Sequence, residues 1–530
     1  MAFRIWMALL LVFAAYIACV SAGYVWDDHL LILQNDAFSA PTWRKLLASD
    51  LWCCTQELRG SGYWRPLTTL SLFADVAGFG YAPGPAHFQS LCLHLLCTGL
   101  LGKLVEGRHG GARGAVAALV FGLHPVLSEA VIWISARNDL LAATFCVGAL
   151  LAADARRPVL AGLCALAGAL SKESSFLLPG MIGLWAYGHG GAAGVRDARR
   201  ALVGSAVGLA VALALRPFVD LGAQALPRLE LSDPYAVVYG LVRILGWMSW
   251  PWPLTGTATL YMGSPSASTW LAAAVTLAGA ALWVRVEVRR GLALAGLAVL
   301  AALPVAGALY VYATLGERYL YLPMVGVAAL IASAVPLNRA SGVGLAVWSM
   351  GALAAIHVRL PDWSNNAAFF SAATRRAPDS FTWNLLGVDL GRDGQRGPAL
   401  AAFESALLPT PDGDPPQTFA CRNVLVAARA VMDAPTLAAR LPAWKAAGCY
   451  ALPPFEPSAA WSLALLGDEA AGLQIAHGVT APDTTGLLAV LFAVEAERDG
   501  DIVRAAGLLA SVEGLSDARD RYATLLALRD

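Results

Sequence analysis

Apolar runs constrain this chain before anything else does. From residue 5 onward, stretches at or near the length of a bilayer crossing recur at 5–21, 87–106, 114–134, 139–154, 158–171, 175–189, 201–216, 269–284, 291–312, 321–337 and 342–358. A helix needs about 20 mostly apolar residues to cross the hydrocarbon core, so the shorter runs must tilt or lean on neighbours. Only 14% of the 530 residues are charged, well under the roughly one quarter of a soluble domain, and the mean hydropathy is +0.59. The pattern predicts an all-α, polytopic membrane protein of about eleven spans. Acidic and basic residues balance at 37 each, which argues against a nucleic-acid partner whose phosphates would need neutralising. Residues 5–22, with Arg4 before them and Val20-Ser21-Ala22 at their end, also fit a cleavable signal. The many apolar runs that follow favour a retained signal anchor.

Loop charge orients the spans. Loops 103–113, 156–157, 196–200 and 285–290 carry two or three Lys/Arg each, whereas the alternate turns around Arg137, Lys172 and Arg318 carry one. The positive-inside rule puts the richer set in the cytoplasm. Segment 236–254, with Arg243 and the ending Pro251-Trp-Pro253, would send Arg285, Arg289 and Arg290 outside if it crossed, so it reads as lateral or re-entrant on the outer face. The N-terminus is then inside and the C-terminus outside. On the outer face this topology collects Asp27, Asp28, Arg65, His124, Glu129, Arg137, Asp139, Lys172, Glu173, Glu317 and Arg318. The inner face carries arginines and little comparable chemistry.

Beyond residue 360 the apolar runs shorten and the periodicity becomes that of soluble helices. The predicted division is a membrane domain, 1–360, with a first external loop at 22–86, and an extracytoplasmic helical domain, 361–530. Trp383, Leu386, Gly387, Ala399, Phe403, Ala406 and Pro411 match the tetratricopeptide template. The stretches 420–450, 457–477 and 484–511 look helical but degenerate, as in an atypical array. Nine cysteines include no C-x-x-C pair. Cys421 and Cys449 could pair in an oxidising compartment, and Cys53-Cys54 is a weaker candidate.

Three groups of residues carry possible chemistry. Asp27-Asp28, just beyond the first apolar run, suits a general base, a metal site with His29, or a helix cap before Leu30-Leu-Ile-Leu33. His124-Pro125-x-x-x-Glu129 and Arg137-Asn138-Asp139 flank a helix junction that Pro125 must kink. Glu129 and Arg137 could simply neutralise each other there, but ionisable groups at membrane depth are functional by default. Lys172-Glu173 and Glu317-Arg318 sit at outer helix ends, where snorkelling alone would explain the cations. Three cations, Arg137, Lys172 and Arg318, on the face of an acidic loop suggest phosphate binding. No Walker loop, dinucleotide fingerprint or nucleophile elbow is present.

Taken in order, Val25-Trp-Asp27-Asp28 with Asn35, Tyr63-Trp-Arg65-Pro66-Leu67, Pro85-x-His87, His124-Pro125-x-x-x-Glu129 running on to Trp133, Arg137 and Asp139, Ser171-Lys172-Glu173 and Glu317-Arg318-Tyr319-Leu-Tyr321-Leu-Pro323 resemble the transmembrane-and-tetratricopeptide-repeat O-mannosyltransferases and their bacterial relatives. Trp363 just after the last span fits as well. The resemblance implies a GT-C membrane fold and a polyprenyl-phosphate-linked sugar donor. It also implies inverting transfer to an acceptor hydroxyl, in a bacterial inner membrane with the tail outside. It assigns the base to Asp27 or Asp28, with a slight lean to Asp28. Arg137, Lys172 and Arg318 would hold the leaving phosphate. Glu129, Asp139, His124, Arg65, Glu173 and Glu317 would orient those groups or the sugar. Some GT-C enzymes use a divalent cation, for which Asp27, Asp28 and His29 are the available ligands. The tail is shorter than in animal members, which leaves the acceptor, a protein Ser/Thr or a glycan, open. Two other readings are an O-antigen ligase or polymerase, whose chemistry belongs in a late external loop, and a non-enzymatic scaffold that uses the tail to bind peptides.

Overall fold

The computed structural model describes residues 2–447 and 449, apart from 56–60, 222–233, 250, 252–253, 255–257, 260–265, 287, 313, 377, 408–417 and 448. The chain divides into two compact units, Met1–Ala377 and Pro378–Asp530. The first unit therefore runs past the boundary drawn at residue 360 from composition. The physical reason is aromatic packing: Phe369 lies 4.7 Å from Trp363, ring to ring, and both Phe369 and Phe370 pack on Trp26.

Every apolar run named above falls on a helix. Among the described residues five helices are long and apolar enough to cross a membrane, Arg4–Ser21, Pro83–His109, Ile134–Asp154, Glu173–Phe218 and Arg339–Trp363. A sixth is made by Gly111–Leu123 and Pro125–Ile132, bent by 53°. Pro125 forces that bend, because its ring excludes a straight continuation and it has no N–H to donate. His124 covers part of the break: its Nδ1 accepts from Val126 N at 3.4 Å. The apolar faces of these helices are bare, with Leu10, Phe13, Val203, Val207, Val347 and Met350 exposed, as lipid-facing positions are.

The helix Leu178–Leu215 is two helical segments joined at a kink. Straight, its 38 residues would reach about 57 Å, far beyond a bilayer. At Gly191 the backbone turns to φ +58°, a left-handed conformation that glycine takes without cost, and the chain folds back. A Cβ on Gly194 would strike the Ala186 carbonyl, a contact no straight helix allows. The returning half packs on Pro158–Ala169 through Gly204-x-x-x-Gly208, where a Cβ on Gly208 would enter Gly162 O and one on Gly162 would lie 2.7 Å from Gly204 O. Small residues at this spacing let two helix backbones approach closely in a membrane.

Segment 236–254 forms the helix Pro234–Ser249, about 24 Å long and short of the roughly 30 Å core. Among the described residues the strand pairing is confined to Ala258–Thr259 with Thr314–Leu315, antiparallel, beside two isolated bridges, Asn35 with Thr55 and Ser49 with Asp220. The long first loop is itself helical, with Asp36–Ser39, Trp43–Leu47 and Pro66–Phe79. Leu31, Ile32, Phe38, Leu46, Leu51 and Leu72 form its apolar core.

In the second unit Ser380–Arg392, Arg396–Ser405, Thr418–Arg429 and Ala434–Ala446 are helical. Asp379 caps the first by accepting from Thr382 N at 2.6 Å. Gly387 lies against the Phe403 ring, where a Cβ would come within 2.6 Å, so the template's glycine is needed for helix packing. Phe403, Leu400, Val424, Leu425, Leu437 and Trp444 share the core. A disulfide joins Cys421 and Cys449, whereas Cys53 and Cys54 remain thiols with their Sγ atoms 2.7 Å apart. Pro411 and the stretches 457–477 and 484–511 lie outside the described residues.

Candidate functional site

The acidic turn is built on an unusual backbone. Trp26 has φ +52°, a region that costs a bulky L-residue about 1–2 kcal/mol. Its indole stacks on Trp133 at 5.2 Å and 8°, and Trp133 Nε1 donates to Val25 O at 3.2 Å. After the turn the chain makes a single π-helical turn, His29–Leu33. Asn35 then starts the next helix, its side chain accepting from Ala37 N at 2.9 Å.

The two acids have different surroundings. Asp28 is fully buried. Its Oδ2 accepts from Val25 N at 3.1 Å, and its Oδ1 accepts from Ser135 N at 2.8 Å and Ser135 Oγ at 2.5 Å. Asp28 thus ties the acidic turn to the 134–136 turn. Asp27 is only half-buried and no described group donates to its carboxylate. Burial pushes the Asp27 carboxyl up to about 6, with the nearby Arg318 opposing. Burial pushes Asp28 up to about 7, opposed by the hydrogen bonds from Ser135 and Val25 and reinforced by Asp27. Of the two acids, Asp27 is the more accessible.

The cations come as ion pairs. Arg318 is held twice by Glu129, through its guanidinium on Oε1 and its backbone N on Oε2 at 2.9 Å. Its guanidinium also lies 4.7 Å from both the Trp133 and Tyr319 ring centroids. Lys172 Nζ donates to Asp139 Oδ1 at 2.6 Å and sits 5.4 Å from the Tyr319 ring. Burial pulls the Lys172 ammonium below its ordinary value, with Asp139 opposing. Arg65 clamps Glu173 through Nη2 at 2.6 Å and Nε at 3.1 Å. These pairs are neighbours, since Arg65 and Arg318 each repel the Lys172 ammonium. One network therefore gathers Asp27, Glu129, Asp139, Lys172, Glu173, Arg65 and Arg318. Among the described residues, two Lys172 protons and the Arg65 Nη1 group have no protein acceptor.

Two expected members, Arg137 and His124, stand apart from it, and a third, Glu317, pairs elsewhere although its charge reaches Glu129. Arg137 is completely buried and each of its three side-chain nitrogens has a protein acceptor, Asp75, Gln89 Oε1 at 2.6 Å and Ser71 on Nη1, Ala86 O at 2.7 Å on Nη2, and Ser90 on Nε. It fastens the helices Pro66–Phe79, Pro83–His109 and Arg137–Asp154 together and is not placed to meet a phosphate. Glu317 is buried on Arg359 Nη1 at 2.5 Å, and His124 Nε2 lies 3.2 Å from Met248 O. Nor do Asp27, Asp28 and His29 fit a divalent cation. His29 Nε2 faces Tyr24 O at 3.2 Å, both Asp28 oxygens are engaged, and among the described residues no three His, Cys, Asp or Glu side chains converge.

Sequence reasoning missed Asp75 and Ser135, and named Tyr319 only within a family motif, with no role. Asp75 carried a usable signal, a lone carboxylate in an otherwise apolar helix. Ser135 carried none, since serine is not unusual at a helix end.

No family model matches the chain. Protein O-mannosyl-transferase Tmtc2 of Drosophila melanogaster is 34% identical over 136 residues, which is 25% of this chain and 14% of that protein. Human protein O-mannosyl-transferase TMTC2 is 33% identical over 137 residues, 25% of this chain and 16% of the relative. The match thus spans well under a fifth of these relatives' length. Among solved structures, ArnT from Cupriavidus metallidurans bound to undecaprenyl phosphate aligns over 83% of this chain and 79% of its own, at 15% identity and a TM-score of 0.39. Over about a quarter of its length, this integral membrane protein is similar to the transmembrane-and-tetratricopeptide-repeat protein O-mannosyltransferases.

Proposed function

We propose that the chain is a GT-C-type glycosyltransferase that moves a hexose such as mannose from a polyprenyl-phosphate donor to an acceptor hydroxyl. The acceptor is a protein Ser or Thr and the chemistry runs on the extracytoplasmic face. The observation that carries this reading is Asp27. It is a half-buried carboxylate of raised basicity, next to Arg318 and a set of paired cations with N–H groups to offer.

In this mechanism the acceptor oxygen attacks C1 of the sugar while its proton passes to the Asp27 carboxylate. The C1–O bond to phosphate breaks as the new bond forms on the opposite face, so the anomeric configuration inverts. The electron pair leaves on the lipid phosphate. Lys172 and Arg65, each oriented by its carboxylate partner, donate to that phosphate, and Arg318 adds charge beside the base. Asp28 acts on the shape of the turn rather than on the substrate, because its oxygens are engaged by Val25 and Ser135. Pairing each cation with an acid keeps the site near neutral, which suits a phosphodiester that carries a single charge.

The test is transfer of mannose from a short-chain polyprenyl-phosphate mannose to a Ser/Thr-rich peptide by the purified full chain. Asp27→Asn is expected to abolish transfer and Asp28→Asn to impair it, both with unfolding temperatures recorded. Full activity in both variants would sink the reading. Glycoproteomic comparison of cells with and without the protein names sugar and acceptor together.

A further inference from the structure

The left-handed backbone at Trp26 needs something to hold it, and the structure supplies it from the far end of the membrane unit. Trp26 N donates to Asn366 Oδ1 at 2.6 Å across 340 residues of chain. Gly23 N donates to Ser364 O at 3.0 Å, and a Cβ at Gly23 would lie only 2.5 Å from that same oxygen. The Trp26 indole lies 6.1 Å from the Phe369 ring and 6.5 Å from Phe370. Phe369 is braced in turn by the buried Trp363. Residues 364–370 therefore grip positions 23–26 at the backbone and at the ring, immediately before Asp27.

Nothing in the proposed chemistry uses Asn366, and its place just past the last apolar helix does not call for an acceptor reaching back to the first loop. Its side chain nevertheless receives the amide of the one residue in this turn with a strained conformation. We propose that Asn366 is a positioning residue for Asp27: it holds the Trp26 backbone in the left-handed region and so sets where the next carboxylate points. This rests on the reading of Asp27 as the base. Asp28 and Ser135 anchor the turn from one side, and Asn366 with Phe369 and Phe370 anchors it from the other. Without the Asn366 acceptor, Trp26 relaxes towards φ < 0 and carries Asp27 with it.

Three variants of the full chain test this in detergent: Asn366→Ala, Asn366→Asp and Asp27→Asn. Hydrogen exchange by mass spectrometry needs no substrate. The peptide covering residues 22–30 should exchange markedly faster in Asn366→Ala and stay protected in wild type and in Asn366→Asp, which keeps an acceptor oxygen. In the mannose-transfer assay Asn366→Ala should lose about a hundredfold in kcat, with KM for the peptide little changed and the unfolding temperature retained. Asn366→Asp should recover most of the rate, with its acid limb shifted to higher pH. The charged groups that face Asp27, Asp28 and Arg318, are the same in all the Asn366 variants, so that shift reports the added carboxylate. A merely structural asparagine would lower the unfolding temperature of Asn366→Ala and leave the kcat of its folded fraction unchanged. Unchanged exchange and unchanged kcat in Asn366→Ala, alongside an inactive Asp27→Asn, overturn the clamp and leave the base in place. Normal transfer by Asp27→Asn overturns the base, and with it the catalytic meaning of the clamp.

Discussion

At the scale of single residues, the site separates groups that face substrate from groups that only shape it. Asp27 and Asp28 are adjacent, yet one is half-buried with no described donor and the other is wholly engaged by Val25 and Ser135. A base must be ionised to take a proton, and burial raises the Asp27 carboxyl to about 6. Transfer measured as kcat/KM should therefore fall about tenfold per pH unit below 6 and level off above it. A profile that stays flat down to pH 4.5 would exclude Asp27. Arg137 carries the opposite expectation. Its guanidinium is buried on Asp75 with a protein acceptor on each nitrogen, so Arg137→Leu strands a carboxylate in an apolar helix. Breaking a buried pair from one side costs about 3–5 kcal/mol, seen as a large drop in unfolding temperature, and Asp75→Leu in the same chain should recover part of it. If Arg137 instead bound phosphate, the single variant would unfold normally and raise KM for the donor. These distinctions were only half legible in the sequence. Residue type and spacing marked the charged positions, but which acid is accessible and which cation is already satisfied depends on partners such as Ser135 and Gln89, tens of residues away.

Among the elements, legibility followed how much of the cause lay in a local signal. Pro125 announces a broken helix, and the break is there at 53°. The dip in hydropathy between 189 and 201 announces two spans, and Gly191 delivers the reversal between them. By contrast, Pro66–Phe79 was absorbed into a loop, because fourteen residues fall short of a span and its burial comes from packing that periodicity does not show. Tight backbone approach was equally hidden, although it has a checkable consequence. Gly208→Ala should cost about 2 kcal/mol or more, since its Cβ meets the fixed carbonyl of Gly162 rather than a movable side chain. Gly183→Ala, on the same helix but with nothing within 4 Å of the added methyl, should be neutral or stabilising by up to about 1 kcal/mol. Thermal unfolding of the two variants in one detergent gives the comparison. Equal effects would mean that helix propensity, and not the approach to Pro158–Ala169, governs this hairpin.

For the whole molecule, the topology drawn from loop charge makes a claim that the site geometry supports. Asp27 and Arg65 of the first external loop and Asp139, Lys172 and Arg318 of three further turns, four segments all assigned to one side of the membrane, meet in one electrostatic network. The same topology sends the second unit to the acid's side of the bilayer, and the cysteines test that. Cys421 and Cys449 are bonded across 28 residues while the other seven cysteines are thiols. Disulfides form and persist in oxidising compartments and are rare where glutathione keeps thiols reduced, so a cytoplasmic tail is expected to hold the same two sulfurs reduced. Cells are quenched in acid, the protein is denatured, and iodoacetamide is added before any reductant. Seven of the nine cysteines should then be labelled, and all nine only after reduction. Nine labels before reduction would put the tail in the cytoplasm and detach it from the side where Asp27 works. The bond also has a measurable weight. Closing a loop of 28 residues removes enough unfolded-state entropy for about 3–4 kcal/mol. Cys421→Ser should accordingly destabilise the tail and hasten its proteolysis, while the exchange protection of residues 22–30 in the membrane unit stays as it was.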